Sequence, residues 1–192
     1  MMYKSHLTVS AAIALPILSV THELNYIAVG GVLIGSLLPD IDHPQSYIGR
    51  KVWVLAKGIN IIFGHRGIVH SLLPVLLLAI ASSMLDSLFL WCITLGFLLH
   101  LIEDGFSKGG LGWFQPLKKK KLIIPFKLVR YTTGGFKEYC IFIIFVALLI
   151  FEIIYLKNIT HTANLAIDKS TDIINKGGNM YNHAKNIISI WF

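Results

Sequence analysis

Residues 39–44 read PDIDHP and stand directly after the apolar segment 26–38, so that Asp40, Asp42 and His43 gather where a helix should end. The two prolines stop that helix and stiffen the turn. Acids at the carboxyl end of a helix oppose its dipole, so the turn favours a bound cation over a solvated cap. Because the two acids alternate with an isoleucine, an extended turn would direct both carboxylates the same way.

A second cluster closes another apolar segment, at residues 100–104, which read HLIED. On a helix, His100 and Asp104 lie one turn apart on one face, an arrangement that offers two ligands to one cation. Glu103 could replace the aspartate or support the histidine. Such a pair can also be a simple hydrogen bond at a helix end. It therefore supports a metal site only in combination with the other clusters.

A third cluster opens an apolar segment at residues 64–71, which read GHRGIVHS. His65 and His70 are five residues apart, about 140° around a helix, so a continuous helix would not place them on one face. The two glycines instead predict His65 on a loop and His70 in the first turn of the next helix. Arg66, between them, is suited to hold an oxyanion such as a phosphate or a carboxylate.

Composition indicates where these clusters lie. Hydrophobic residues make up 55% of the 192 residues, charged residues only 14%, and the mean hydropathy is +0.68. Soluble domains usually carry about a quarter of charged residues, so we interpret the chain as an integral membrane protein. Acids and histidines are costly in hydrocarbon, and their gathering at the ends of apolar segments predicts a functional site facing the protein interior or water.

Five apolar segments predict an all-α fold, a polytopic membrane helical bundle made of two short helical hairpins and a final transmembrane helix. The segments are 7–20, 26–38, 68–85, 88–102 and 139–156. We expect a metal-site domain over 1–138, the final transmembrane helix over 139–156 and a C-terminal tail over 157–192, which is either interfacial helix or loosely ordered. We expect residues 1–20 to be retained, because no convincing signal-peptide cleavage site follows them.

Positive charges predict the orientation in the membrane. Lysines and arginines concentrate in the loop between the two hairpins and in the loop between the second hairpin and the last helix, so both loops should be cytoplasmic. Counting spans from there brings all the candidate ligands to the cytoplasmic face. They are His6, Asp40, Asp42, His43, His65, His70, His100 and Asp104.

The basic excess, a formal charge of +7, comes mostly from residues 108–137, where four lysines at 118–121 precede an apolar stretch. This pattern suits an anionic membrane surface better than a nucleic-acid groove, so we expect membrane lipids and no nucleic acid as partners.

Cys92 and Cys140 lie in apolar runs without a CxxC pattern, which indicates small core residues and not a disulfide or a zinc knuckle.

The motifs also carry a resemblance to a known family. The blocks LLPDIDHP at 37–44, FGHRG at 63–67 and HSLL at 70–73, followed by His100 and Asp104, resemble the YdjM-type family of bacterial inner-membrane proteins. Its members are regarded as LexA-regulated, predicted metal-dependent hydrolases. The resemblance covers roughly residues 6–116 and implies the eight candidate ligands above as site residues, in the bacterial inner (cytoplasmic) membrane.

Two positions depart from the family pattern. Val69 stands where the family commonly has threonine, which removes a hydroxyl beside His70, whereas Ser107 replaces another threonine and keeps its hydroxyl.

Together these features predict a membrane-bound metal-dependent hydrolase that acts on an ester or phosphoester. The favoured substrate is a phosphoester lipid, because the location suits an amphipathic or anionic substrate. Mixed histidine and carboxylate ligands suit zinc, manganese or iron as the divalent metal ion. The ligands outnumber what one tetrahedral zinc requires, so either two metals lie close together or one metal is accompanied by a free carboxylate. In catalysis Asp40 or Asp42 would take the proton from water and Arg66 would steady the developing charge. A non-catalytic membrane adaptor and, less favoured, a metal or proton transporter stay open as alternatives.

Overall fold

A computed structural model describes residues 1–64, 67–118, 121–126 and 130–191, and no β-strand occurs among them, which confirms the all-α class. The α-helices are α1 (Tyr3–Val20), α2 (Tyr26–Leu37), α3 (Tyr47–Lys51), α4 (Trp53–Phe63), α5 (Leu72–Met84), α6 (Leu88–Gly105) and α7 (Phe136–Trp191). Two short 3₁₀ turns, Leu38–Asp42 and Ile68–His70, follow α2 and precede α5.

The first four predicted helices pair as expected from their short connections, α1 against α2 and α5 against α6. Polar side chains fix where they begin. The Asn25 side-chain oxygen accepts from the Ala28 amide at the start of α2, and the Ser87 hydroxyl accepts from the Leu90 amide at the start of α6. Such caps satisfy amide groups that have no partner within the helix. The first four predicted apolar segments become helices within a few residues of their expected limits.

The most extensive helix pairing joins α2 to α6, and glycines make it possible. A Cβ atom added at Gly35 would stand 2.1 Å from the carbonyl oxygen of Ile93, and one at Gly96 would stand 2.0 Å from that of Val32. Gly31 is similarly tight against Cys92. Small residues let the backbones of membrane helices approach this closely. The pairing brings the carboxyl end of α2 beside the carboxyl end of α6.

Buried apolar residues form two clusters around this pair. The first joins α1, α2 and α6 through Ala14, Leu18, Ala28, Val32, Cys92 and Leu99. The second joins α6 to the following loop through Phe97, Leu101 and Leu111, with α5 residues packed against it. The loop is tied to α5, since the Leu72 amide donates to the Trp113 carbonyl. Helix α6 is thus the central element of this unit.

The region between the hairpins corrects one expectation, because α3 and α4 occupy residues that we expected to be a loop. Ser46 caps α3 by accepting from the Gly49 amide, and the Asn60 side chain of α4 donates to the Asp42 carbonyl. The apolar run 52–63, interrupted only by Lys57 and Asn60, was the sequence signal for α4.

The turns that carry the acids and His70 also differ from expectation. Residues 38–42 form a 3₁₀ turn and not an extended one, so Asp40 and Asp42 do not point the same way. His70 ends the second 3₁₀ turn, and α5 begins two residues later, after its cap Ser71.

Two helices, Leu88–Gly105 and the stretch Phe136–Thr162 of α7, are long and apolar enough to cross a membrane. Helix α7 continues to Trp191, so the expected tail is helical in the described residues.

The chain divides into two compact units, Met1–Leu149 and Ile150–Phe192. All site residues described below lie in the first unit. The number of membrane crossings and the expected domain limits stay predictions.

Candidate metal centre

The candidate metal centre begins with His6, which α1 inserts fully buried against α6. Its Nδ1 lies 2.5 Å from Oε2 of Glu103, whose other oxygen accepts from the Ser10 hydroxyl at 2.9 Å. Its Nε2 lies 3.5 Å from Oδ1 of Asp104. His6 and Ser10 are four residues apart, so one face of α1 supplies both groups. Glu103 therefore holds the imidazole and leaves Nε2 directed towards Asp104.

His100 is held by a backbone group. Its Nδ1 lies 2.6 Å from the carbonyl oxygen of Ser36, at the end of α2. A carbonyl can only accept, so Nδ1 of His100 carries the proton and Nε2 of the neutral ring presents its lone pair. The ring stacks on that of His6 with centroids 3.8 Å apart. The close glycine pairing of α2 and α6 brings Ser36 within reach.

His70 stands between the two acids of the first 3₁₀ turn. Its Nδ1 lies 2.8 Å from Oδ2 of Asp42, and its Nε2 lies 3.9 Å from Oδ1 of Asp40. The same Asp40 oxygen lies 3.9 Å from Nε2 of His100. Asp42 is fully buried, whereas the Asp40 side chain is 17% exposed. The two acids of this turn therefore lie at opposite edges of the His70 ring.

The three rings share one pattern, in which Nδ1 bonds to an oxygen and Nε2 turns towards a carboxylate. This is the pattern of metal-binding histidines, whose second nitrogen is usually held by a carboxylate or a carbonyl. The ligand atoms form two sets, each within 4.8 Å, that could hold a metal ion: His6, His100 and Asp104, and Asp40, His70 and His100. Both sets are assembled from helix ends that are distant in sequence.

Burial tests whether a metal fits this centre. Nε2 of His6 and Nε2 of His100 are buried and have no hydrogen-bond partner among the described residues. Burying a polar atom without a partner is costly, and an ion is one of the recognised explanations. Imidazole nitrogens with carboxylate oxygens form the donor set of zinc, manganese or iron. The residues present therefore fit a divalent transition metal.

Other groups surround Asp104. The Met1 ammonium lies 2.6 Å from its Oδ1, and the hydroxyl of Tyr131 lies 3.3 Å from the same oxygen. Tyr131 also donates to the Glu103 carbonyl at 2.9 Å and is almost fully buried. Sequence reasoning missed Tyr131 and Ser10. The spacing of Ser10 from His6 was a usable signal, whereas Tyr131 stands in a loop without a motif.

A cavity of about 410 Å³ leads to this centre. Asp40 and Asp104 belong to its lining, together with Lys4, Arg50 and His43. His43 is half-buried, its Nδ1 accepts from the Gln45 amide at 3.2 Å, and it belongs to neither ligand set.

The predicted site residues are thus distributed in three ways. Five of them form the two sets, Asp42 contacts His70, and His43 lines the cavity. His65 and Arg66 lie outside the described residues, and their roles stay predictions.

The fold and the centre define a class: an all-helical protein with two candidate membrane spans and a buried histidine–carboxylate cluster that could hold a metal ion. The chain belongs to the family described as YdjM inner membrane protein, whose pattern it matches over residues 1–162. This confirms the resemblance seen in the motifs.

Individual relatives agree with this assignment. The chain is 34% identical over 110 residues to the inner membrane protein YdjM of Escherichia coli K12, covering 52% of this chain and 56% of that protein. It is 36% identical over 108 residues to the uncharacterized protein YvsG of Bacillus subtilis, covering 55% of this chain and 64% of that protein. The matched region thus spans little more than half the length of these relatives. No solved structure matches the chain. The family description places the protein among membrane proteins, and none of the printed names states an activity.

Proposed function

We propose that this protein is a membrane-bound, metal-dependent hydrolase that cleaves an ester or phosphoester at the cytoplasmic face of the bacterial inner membrane. One observation carries the proposal: three imidazoles, each held through Nδ1, turn Nε2 towards two carboxylates that line a cavity. A simple structural cluster would not leave the buried Nε2 atoms of His6 and His100 without a hydrogen-bond partner among the described residues.

The two ligand sets limit how metal would bind. His100 has one lone pair at Nε2, so it can serve only one of the sets at a time. Two metals held together by these five side chains would leave one of them with two ligands. The centre by itself therefore suits one metal, and a second would need a further ligand. When bound, a divalent metal supplies Lewis acidity, which polarises the substrate oxygen and lowers the pKa of water.

The protein's own side chains position the histidines and accept the proton. Asp42 fixes the ring of His70 from behind, and Glu103 does the same for His6. Asp40 is the partly exposed carboxylate of the pair and reaches the cavity, so its Oδ1 is the better placed to accept a proton from water. We therefore assign the role of base to Asp40 over Asp42, which leaves His6, His100 and Asp104 as the set that would hold the metal. Arg66 keeps its predicted role towards developing negative charge.

Charge supports a cytoplasmic orientation and several membrane crossings. Lys4 and Arg50 line the cavity, and Lys51 and Lys57 lie on the short helices α3 and α4. Positive residues near the ends of spanning helices favour the cytoplasmic side. Exposed apolar side chains on α4, α5 and α7 suit contact with lipid.

The test is the metal content of the purified full chain, measured by elemental mass spectrometry in detergent after growth with zinc, manganese and iron. We expect close to one metal per chain in the wild type. We expect His100→Ala and Asp104→Ala to lower metal affinity by more than about a hundredfold, because each removes a ligand. The matched control is His161→Ala, which changes an exposed histidine on α7.

Hydrolysis is then screened with chromogenic carboxyl esters and phosphoesters, using Asp40→Asn as the catalytic variant. Metal retained by Asp40→Asn with activity lost supports its role as base. Wild-type protein that takes up no metal after reconstitution contradicts the hydrolase and favours the non-catalytic membrane adaptor.

A further inference from the structure

The cavity beside the candidate metal centre is lined by charged side chains of both signs. Its lining includes Asp40 and Asp104, whose carboxylates lie 3.5 to 3.9 Å from histidine nitrogens, and the cations Lys4 and Arg50. The side chains of Lys4 and Arg50 are exposed, and no carboxylate in the described part of the chain lies within salt-bridge distance of either. The cavity lining thus includes two cations that have no acidic partner among the described residues.

Local contacts hold these two cations at the cavity. Lys4 lies two residues before His6 in the first turns of α1. Arg50 lies on α3, whose cap Ser46 donates to the Asp40 carbonyl at 2.7 Å. Each cation is therefore anchored through the same short segment that supplies a residue of the metal centre.

An aromatic pair ties the two segments together. The rings of Tyr3 and Tyr47 stack with centroids 4.6 Å apart and nearly parallel planes. Tyr3 precedes Lys4 on α1, and Tyr47 begins α3, so the stack fixes the start of one helix against the other. Stacked aromatic pairs contribute stability beyond the area that they bury. The stack consequently fixes the backbone positions of Lys4 and Arg50 relative to each other.

We propose that Lys4 and Arg50 bind a phosphate group of the substrate in this cavity, so that the substrates are phosphoesters and not neutral carboxyl esters. This inference rests on the proposed function, because the metal centre would act on the same group. A guanidinium binds two phosphate oxygens at once, and an ammonium adds a point charge. Without cations, Asp40 and Asp104 would repel a phosphate dianion.

The ligand chemistry could come from a lipid headgroup or from a soluble phosphate compound. The experiment therefore measures binding of two probes, inorganic phosphate and dihexanoyl phosphatidic acid, to metal-loaded full-length protein by isothermal titration calorimetry. The variants are Lys4→Gln and Arg50→Gln. The matched control is Lys51→Gln, which removes the same charge from α3, but Lys51 lies over the ring of Tyr47 at 4.8 Å and does not line the cavity.

We expect Lys4→Gln and Arg50→Gln each to weaken phosphate binding by about tenfold, since each removes a charge-assisted hydrogen bond, and Lys51→Gln to leave it unchanged. Arg50→Lys should recover part of the loss. Tighter binding of phosphatidic acid with the same dependence on Lys4 and Arg50 supports a lipid source, and equal affinity for both probes supports a soluble one. Unchanged affinity in both glutamine variants, or an equal fall in Lys51→Gln, overturns the inference.

Metal content measured in the same samples separates this failure from that of the proposed function. If the protein is metal-loaded and its phosphate affinity is unchanged by Lys4→Gln and Arg50→Gln, only the phosphate site is contradicted. Wild-type protein that holds no metal, yet binds phosphate through these two residues, contradicts the hydrolase and leaves the phosphate site standing. Protein that holds no metal and binds no phosphate contradicts both.

Discussion

Helices α6 and α7 are both long and apolar enough to cross a membrane, yet their surroundings differ. In α6, 61% of the residues are buried, whereas the most apolar window of α7 has none. Helix α6 carries His100, Glu103 and Asp104 and packs against α1, α2 and α5. In α7, side chains such as Ile143 and Phe151 are more than half exposed. Hydropathy alone therefore identifies an apolar helix without telling whether protein or lipid covers it.

The largest effect should come from enlarging a small residue on each helix. Gly96→Leu on α6 places side-chain atoms where a Cβ already meets the Val32 carbonyl, so we expect a loss of about 3 kcal/mol or more in stability. Ala147→Leu on α7 changes an exposed position and should have little effect. The measurement is thermal unfolding in detergent followed by size-exclusion chromatography. Equal melting temperatures for the two variants would refute the difference between the helices.

An intermediate effect should come from the glutamate on each helix. Glu103→Gln weakens the group that holds Nδ1 of His6, so metal affinity should fall by about 10- to 100-fold. Glu152→Gln makes the same change in the apolar part of α7 and should leave metal affinity unchanged. The measurement is competition with a chelator of known affinity. A Glu103→Gln variant with wild-type affinity would show that Glu103 does not orient a ligand.

The smallest effect should come from a single hydroxyl. Ser10→Ala removes the hydrogen bond to Oε1 of Glu103 and should lower metal affinity by roughly two- to tenfold, the value of one such bond. Thr160→Ala on α7 is the control, because its hydroxyl donates only to the Leu156 carbonyl of its own helix. The same chelator competition measures both variants. A loss larger than that of Glu103→Gln would mean that Ser10 acts on the metal centre by another route.

Much of the helical architecture was predictable because hydropathy and turn signals are local. The segments that became α1, α2, α5 and α6 were located within a few residues. The helices α3 and α4 were not predicted, because they lie between two hairpins, where a connecting loop was expected, and because α3 has only five residues. The full length of α7 was left open because residues 157–191 mix polar and apolar residues without a clear end signal.

The candidate site was predictable as a set of residues and not as an arrangement. Spacing predicted His100 and Asp104 on one helix face, and in the structure they belong to one ligand set with His6. The different contacts of Asp40 and Asp42 with His70 were not predictable. They depend on a 3₁₀ turn, which the alternation of the two acids with an isoleucine does not indicate. The hydrogen bond from His100 to the Ser36 carbonyl was not predictable either, because any residue at position 36 supplies a backbone carbonyl.

By itself, the sequence determined the all-helical class, the family and the chemical types of the candidate ligands, because each follows from local composition and short motifs. Only the tertiary structure decided which ligands meet, which nitrogen each histidine turns inwards and which cations line the cavity. The physical reason is that these features depend on contacts between distant helix ends. Those contacts exist because glycines let α2 and α6 approach to backbone distance.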